Sequence, residues 1–162
     1  MTERHHIQIN GQTIDIEADG AEPLLAVLRD RLGLKLARFG CGAEQCGSCT
    51  VLIGGEPAYA CTRRIDSLGG REVTTLEGLK ASGALRPLLD AFIAEQAGQC
   101  GYCISGIIMS AYALLAANPA PSRPQITAAL DRHLCRCGSH LRVIRAIERA
   151  ARDAAAAGEA RA

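Results

Sequence analysis

Apolar and polar residues alternate through "HIQINGQTIDIE", residues 6–17, on both sides of Asn10-Gly11. Period-two alternation broken by Asn-Gly predicts two half-buried strands and a tight hairpin turn, with Ile7, Ile9, Ile14 and Ile16 on one face. The pattern then lengthens. "PLLAVLRDRLG" places Pro23 at a helix start and Gly33 just past its end, with Leu24, Leu25, Leu28 and Leu32 facing inward. "TVLI", Gly54-Gly55 and "PAYAC" predict a second hairpin, and "REVTTL" one more short strand.

After Thr75 the period is helical. "LRPLLDAFIAEQ" carries Leu85, Leu88, Leu89, Phe92 and Gln96 at helical spacing, and "ISGIIMSAYALLAANP" runs to a stop at Asn118-Pro119. "SRPQITAALDRHL" opens with Ser122 and Gln125, a capping box. Its predicted inner face is Ile126, Ala129, Leu130, His133 and Leu134. "SHLRVIRAIERAARDAAAA" follows with Ser139 as cap and Leu141, Ile144, Ile147 and Ala151 inward. Four helices with short connections predict a small bundle. The fold class is therefore α+β: a small sheet domain over residues 1–76, a four-helix bundle domain over 77–157, and a frayed tail at 158–162.

Composition narrows the function. Of 162 residues, 48% are hydrophobic, enough for a buried core, and the formal net charge of +1 gives no footprint for nucleic acid. The first residues, "MTERHHIQ", contain no apolar signal segment, so the cytoplasm is the default compartment. Export to the periplasm would then depend on a signal-bearing partner. The longest apolar run, about Ile107 to Ala117, is shorter than the roughly 20 residues of a membrane span.

The candidate chemistry lies in eight cysteines. In a reducing compartment metal ligation is favoured over disulfides. Cys41, Cys46, Cys49 and Cys61 follow C-x4-C-x2-C, then eleven residues, then the fourth cysteine. This is the plant-type [2Fe-2S] spacing, in which one loop supplies three thiolates to a compact anionic core and a hairpin returns the fourth. Gly40, Gly42 and Gly47 free the loop to adopt conformations barred to other residues. A four-cysteine zinc site is the competing reading, although zinc favours paired knuckles.

Cys100, Cys103, Cys135 and Cys137 form a second set, C-x2-C and C-x-C, separated by thirty-one residues. Residues i and i+2 point about 200° apart on a helix and lie about 6.6 Å apart along a strand. Cys135 and Cys137 therefore need an irregular turn, which Gly138 permits. Cys103 precedes one helix and Cys137 another, and free amides at helix N-termini favour thiolate. A redox disulfide between Cys100 and Cys103 is the alternative, but it leaves Cys135 and Cys137 without a role. Eight thiolates make two four-thiolate sets. Arg38, Arg63, Arg64, Arg132, Arg136 and Arg142 flank them, as charge compensation or as exposed arginines. His133 and His140 are read as packing or surface residues. Glu44, Glu95 and Asp131 show no paired acid–base arrangement, and no phosphate-binding glycine loop is present.

"GCGAEQCGSCTVLIGGEPAYAC", "GQCGYCISGIIMSA" and "LCRCGSHLRVIRAI" together resemble the small iron–sulfur subunit of the molybdenum hydroxylases, the xanthine dehydrogenase and aldehyde oxidoreductase family. The resemblance covers about Ile7 to Ala151. It implies an N-terminal β-grasp ferredoxin-like domain holding one [2Fe-2S] cluster on Cys41, Cys46, Cys49 and Cys61. It implies a helical domain holding a second on Cys100, Cys103, Cys135 and Cys137. It also implies a large partner subunit with molybdopterin, close to Gln99 and Cys137. Ile104-Ser105-Gly106 stands where many relatives have Thr-Pro-Gly, and Cys137-Gly138-Ser139-His140 where many have Cys-Thr-Gly-Tyr. These features are similar to the isoquinoline/nicotinate-type subgroup, acting on N-heteroaromatics and some aldehydes. Some of that subgroup send electrons to a c-type cytochrome rather than to a flavin subunit, so the resemblance implies one or the other as the acceptor here. The implied function is electron transfer, with no substrate-converting site on this chain. A free-standing two-cluster ferredoxin is the alternative.

Overall fold

The computed structural model describes the backbone of residues 2–159 and the side chains of 2–157. The first hairpin forms as its alternation requires. Strand β1 (Thr2–Ile9) pairs antiparallel with β2 (Gln12–Asp19), with Ile7 opposite Ile14. Asn10 and Gly11, at φ 52° and 78°, make the turn. The Asn10 side chain also bonds the amide and hydroxyl of Thr75, at 2.8 and 3.1 Å, tying the turn to the end of the sheet domain.

The predicted helix after Pro23 is one turn of α-helix, α1 (Leu24–Ala26), continuing as a π-helical segment over Val27–Arg31. The wider turn brings Val27 into the core beside Leu24, Leu25 and Leu28, while Leu32 is only partly buried. Strands β3 (Thr50–Ile53) and β4 (Glu56–Tyr59) form the second hairpin, a 3-10 turn spans Ile65–Leu68, and β5 is only Val73–Thr74. The sheet order is β2-β1-β5-β3-β4, with β1 and β5 parallel and every other pair antiparallel. This is a β-grasp sheet.

All four residues of β3 are buried. Val51 and Ile53 face the core shared with α1, whereas Leu52 faces the helical core. Being covered on both sides, β3 shows no polar alternation.

The helical part has one helix more than expected. The two short turns of α2 (Leu76–Ala81) precede α3 (Arg86–Ala94), α4 (Ile104–Ala117), α5 (Arg123–Leu130) and α6 (His140–Glu159). The Ser122–Gln125 capping box is formed, with Ser122 N–H donating to Gln125 Oε1 at 2.8 Å. Two predicted faces shift. Because α5 ends at Leu130, Leu134 lies outside it and is 61% exposed, although His133 is buried. On α6 the buried stripe is Val143, Ala146, Ile147 and Ala150, and Leu141 is 62% exposed. Ala146 and Ala150 supply little bulk, which lets α3 and α5 pack closely. Residue 158, expected to begin a frayed tail, lies within α6, and residues 160–162 are outside the described residues.

Candidate metal centres

The first cysteine loop leaves α1 through residues 34–39 and returns into β3 at Thr50. Its curvature depends on left-handed conformations at Gly42, Glu44 and Gly47. Gly40 is needed for a different reason: a Cβ there would lie 2.6 Å from Cys46 Sγ. The turn points two backbone amides at Cys41 Sγ, from Ala43 at 3.4 Å and Gln45 at 3.2 Å. These amides bring the Cys41 thiol down to about 7 even though the residue is exposed. Cys49 and Cys61 are buried, and burial pushes Cys49 up to about 12. Cys61 stands just beyond β4, where Ala60 N–H reaches the Cys49 carbonyl at 3.3 Å.

The second set joins two segments at one end of the helices. Cys103 is the residue before α4, and Gly101 at φ 77° turns the chain between Cys100 and Cys103. Cys135 and Cys137 occupy the turn between α5 and α6, with Gly138 at φ 70°. The irregular turn required by the C-x-C spacing is therefore present. Burial pushes Cys103 up to about 12. Burial also raises Cys135, but hydrogen bonds from the Ser139 hydroxyl and amide, with Cys103 and the Cys137 amide, bring it down to about 7. The Tyr102 amide chiefly lowers Cys100.

Thiol neighbours lie within each set: Cys41 beside Cys46, Cys49 beside Cys61, Cys100 beside Cys137 and Cys135, and Cys103 beside Cys135 and Cys100. Among the described residues no three such side chains close on a single point as one ion would need. Four thiols per set suit a dinuclear core, in which each iron takes two thiolates. Gln99, predicted near Cys137, donates from Nε2 to the Cys137 carbonyl at 3.3 Å, and both stand at the accessible edge of the second set.

The two loops also interlock closely, which the sequence did not foretell. Arg38 Nη1 donates to the Gly101 carbonyl at 2.6 Å and its guanidinium lies 5.3 Å from the Tyr102 ring centre. The Tyr102 hydroxyl in turn donates to the Phe39 carbonyl. Leu134 N–H donates to the Cys46 carbonyl at 3.1 Å. His133 is buried against Gly47, its Nε2 2.7 Å from Ser110 Oγ. Burial, with Arg132 and His140 nearby, holds that imidazole neutral, down at about 4. Gly106 of α4 sits against the Gly47 carbonyl. A glycine inside an apolar helix was the one visible signal of such a contact. Of the flanking arginines, Arg132 stacks on Tyr59 at 4.3 Å and Arg64 pairs with Asp66, whereas Arg136 is exposed.

Comparison with known proteins agrees with this geometry. Residues 7–73 match the family model of a 2Fe-2S iron-sulfur cluster binding domain, and residues 75–148 match that of a [2Fe-2S] binding domain. The chain is 48% identical to a nicotinate dehydrogenase subunit of Pseudomonas putida, covering 90% of this chain and 92% of that one. It is 49% identical to the alpha subunit of isoquinoline 1-oxidoreductase from Brevundimonas diminuta, covering 91% and 97%. The chain belongs to the family of small iron–sulfur subunits of the molybdenum hydroxylases. The crystal structure of quinoline 2-oxidoreductase from Pseudomonas putida 86 superposes with a TM-score of 0.88 at 36% identity, covering 98% of each chain. As a member of this family the chain is the electron-transfer subunit of an oxidoreductase complex, with two [2Fe-2S] clusters and molybdopterin on a large partner. Among the described residues no helix is long and apolar enough to cross a membrane.

Proposed function

We propose that Cys41, Cys46, Cys49 and Cys61 ligate one [2Fe-2S] cluster in a domain of residues 1–76. Cys100, Cys103, Cys135 and Cys137 ligate the other in a domain of residues 77–157. The grouping of thiol neighbours within each set supports this division, as do two separate hydrophobic cores. When bound, each cluster accepts and releases one electron at a time. The chain's residues supply ligation, amide hydrogen bonds and burial. In this reading Gln99 and Cys137 face the partner's molybdopterin, and the ferredoxin-like end faces the acceptor, a c-type cytochrome or a flavin subunit. The compartment in this reading is the cytoplasm.

The observation that carries the relay is the Leu134 N–H bond to the Cys46 carbonyl, at 3.1 Å. It joins a residue adjacent to Cys135 directly to a residue of the first set, so a single hydrogen bond links the two ligand sets through the backbone. The substrate class we propose for the complex is an N-heteroaromatic ring, supported by relatives named for nicotinate and isoquinoline. Purification of the native complex tests this. A molybdenum-containing large subunit should co-purify, and turnover of an N-heteroaromatic in H2-18O should reduce both iron–sulfur centres and place label in the product. A chain that purifies alone, or a complex that oxidises only aldehydes, contradicts the corresponding part.

A further inference from the structure

We propose that Ser139 sets the reduction potential of the second centre by donating its hydroxyl hydrogen to the Cys135 thiolate. The inference rests on the ligand assignment above. Ser139 Oγ lies 3.3 Å from Cys135 Sγ, and the serine is only 4% exposed. A ligating thiolate carries no hydrogen, so the hydroxyl is the donor of this pair. A buried hydroxyl without a partner is costly, which holds the contact in place.

The helix fixes the donor. The Ser139 carbonyl accepts the amides of Arg142 and Val143, each at 3.0 Å, so the residue is anchored as the first turn of α6. Charge-assisted hydrogen bonds are strong where water is excluded. Such a bond stabilises negative charge on sulfur, and more so once an electron is added, so it raises the potential. The first centre differs in kind. Cys41 receives backbone amides from Ala43 and Gln45, which no side-chain replacement removes. Cys135 also receives backbone amides, from Cys137 and Ser139, but the Ser139 hydroxyl bond is encoded in one side chain, so a point substitution can remove it.

The test is an EPR-monitored redox titration of the native complex carrying wild-type, Ser139→Ala, Ser139→Gly or Ser139→Thr chains. Loss of the hydroxyl shifts the one-electron equilibrium of the second centre about tenfold toward the oxidised form, about 59 mV lower. Ala and Gly should produce similar shifts, although Gly costs a helix N-terminus only a few tenths of a kcal/mol. Thr should restore the wild-type value, and the first centre should not move. An unshifted second centre in Ser139→Gly, or a Thr variant shifted as far as Ala, overturns the hydrogen bond. In the wild-type complex, resonance Raman bands of the second centre should shift in D2O, and absence of that shift also counts against it. Survival of both EPR signals in Cys135→Ser overturns the ligand assignment instead.

Discussion

Three glycine-to-alanine substitutions, one in the first hairpin and two at the junction of the cysteine segments, separate backbone strain from collision. Gly11 has φ 78° and open space where a Cβ would stand, so alanine there meets strain alone. That costs about 1 kcal/mol for a left-handed residue. Gly106 has ordinary helical backbone, but a Cβ would overlap the Gly47 carbonyl oxygen and lie 3.3 Å from Ser48 Cα. In an unobstructed helix interior, alanine would stabilise by about 1 kcal/mol. Overpacking typically costs about 1–3 kcal/mol. The obstacle here is backbone rather than a flexible side chain, so the upper end applies. The net expectation is a loss of about 2 kcal/mol. Gly47 combines both effects, with φ 73° and a Cβ that would lie 2.6 Å from the Arg132 carbonyl oxygen and 2.3 Å from His133 Nδ1. Its expected cost is about 4 kcal/mol, the sum of strain and collision.

Urea unfolding of the cluster-loaded chain by far-UV circular dichroism measures this order. Visible absorbance, recorded in parallel, distinguishes loss of iron from unfolding. The expected ranking of damage is Gly47→Ala, then Gly106→Ala, then Gly11→Ala. A Gly106→Ala chain as stable as wild type, or more stable, would refute the close approach of α4 to the first loop.

Arg38→Ala removes the 2.6 Å bond to Gly101 and the contact with Tyr102, and should cost about 1–3 kcal/mol; Arg38→Lys should recover only part, because lysine lacks the planar fork. Equal stability of all three forms in urea unfolding contradicts the latch. In the iron-free chain, alkylation by iodoacetamide mapped by mass spectrometry should distinguish the thiols. A lowered pKa produces thiolate at lower pH, so Cys41 should react half-maximally near pH 7, whereas Cys49 and Cys103, at about 12, stay protonated and slow at pH 9. Equal rates for Cys41 and Cys49 contradict the burial difference.

Local features were the legible ones. Asn10-Gly11 with flanking isoleucines, and Ser122 with Gln125, act within a few residues, and both formed as read. The C-x4-C-x2-C spacing was legible because one short loop carries those three thiols. Features that depend on distant packing were not. The α6 stripe is rotated because α3 and α5 choose the face bearing Ala146 and Ala150 over the one bearing Leu141. The π-helical turn at Val27–Arg31 carries no periodic mark of its own. Arg38 with Gly101, and Cys46 with Leu134, are more than sixty residues apart, and neither leaves a pattern in the chain.

The central claim is that eight cysteines hold two distinct [2Fe-2S] centres, one per set. Low-temperature EPR of the reduced, anaerobically purified complex tests it most directly, with iron and sulfide counted on the same sample. Two such centres require about four iron and four labile sulfide in this chain, and two separate S = 1/2 signals. Cys137→Ser should impair the second and leave the first largely intact. A single signal, zinc in place of iron, or loss of both signals in Cys137→Ser would contradict it.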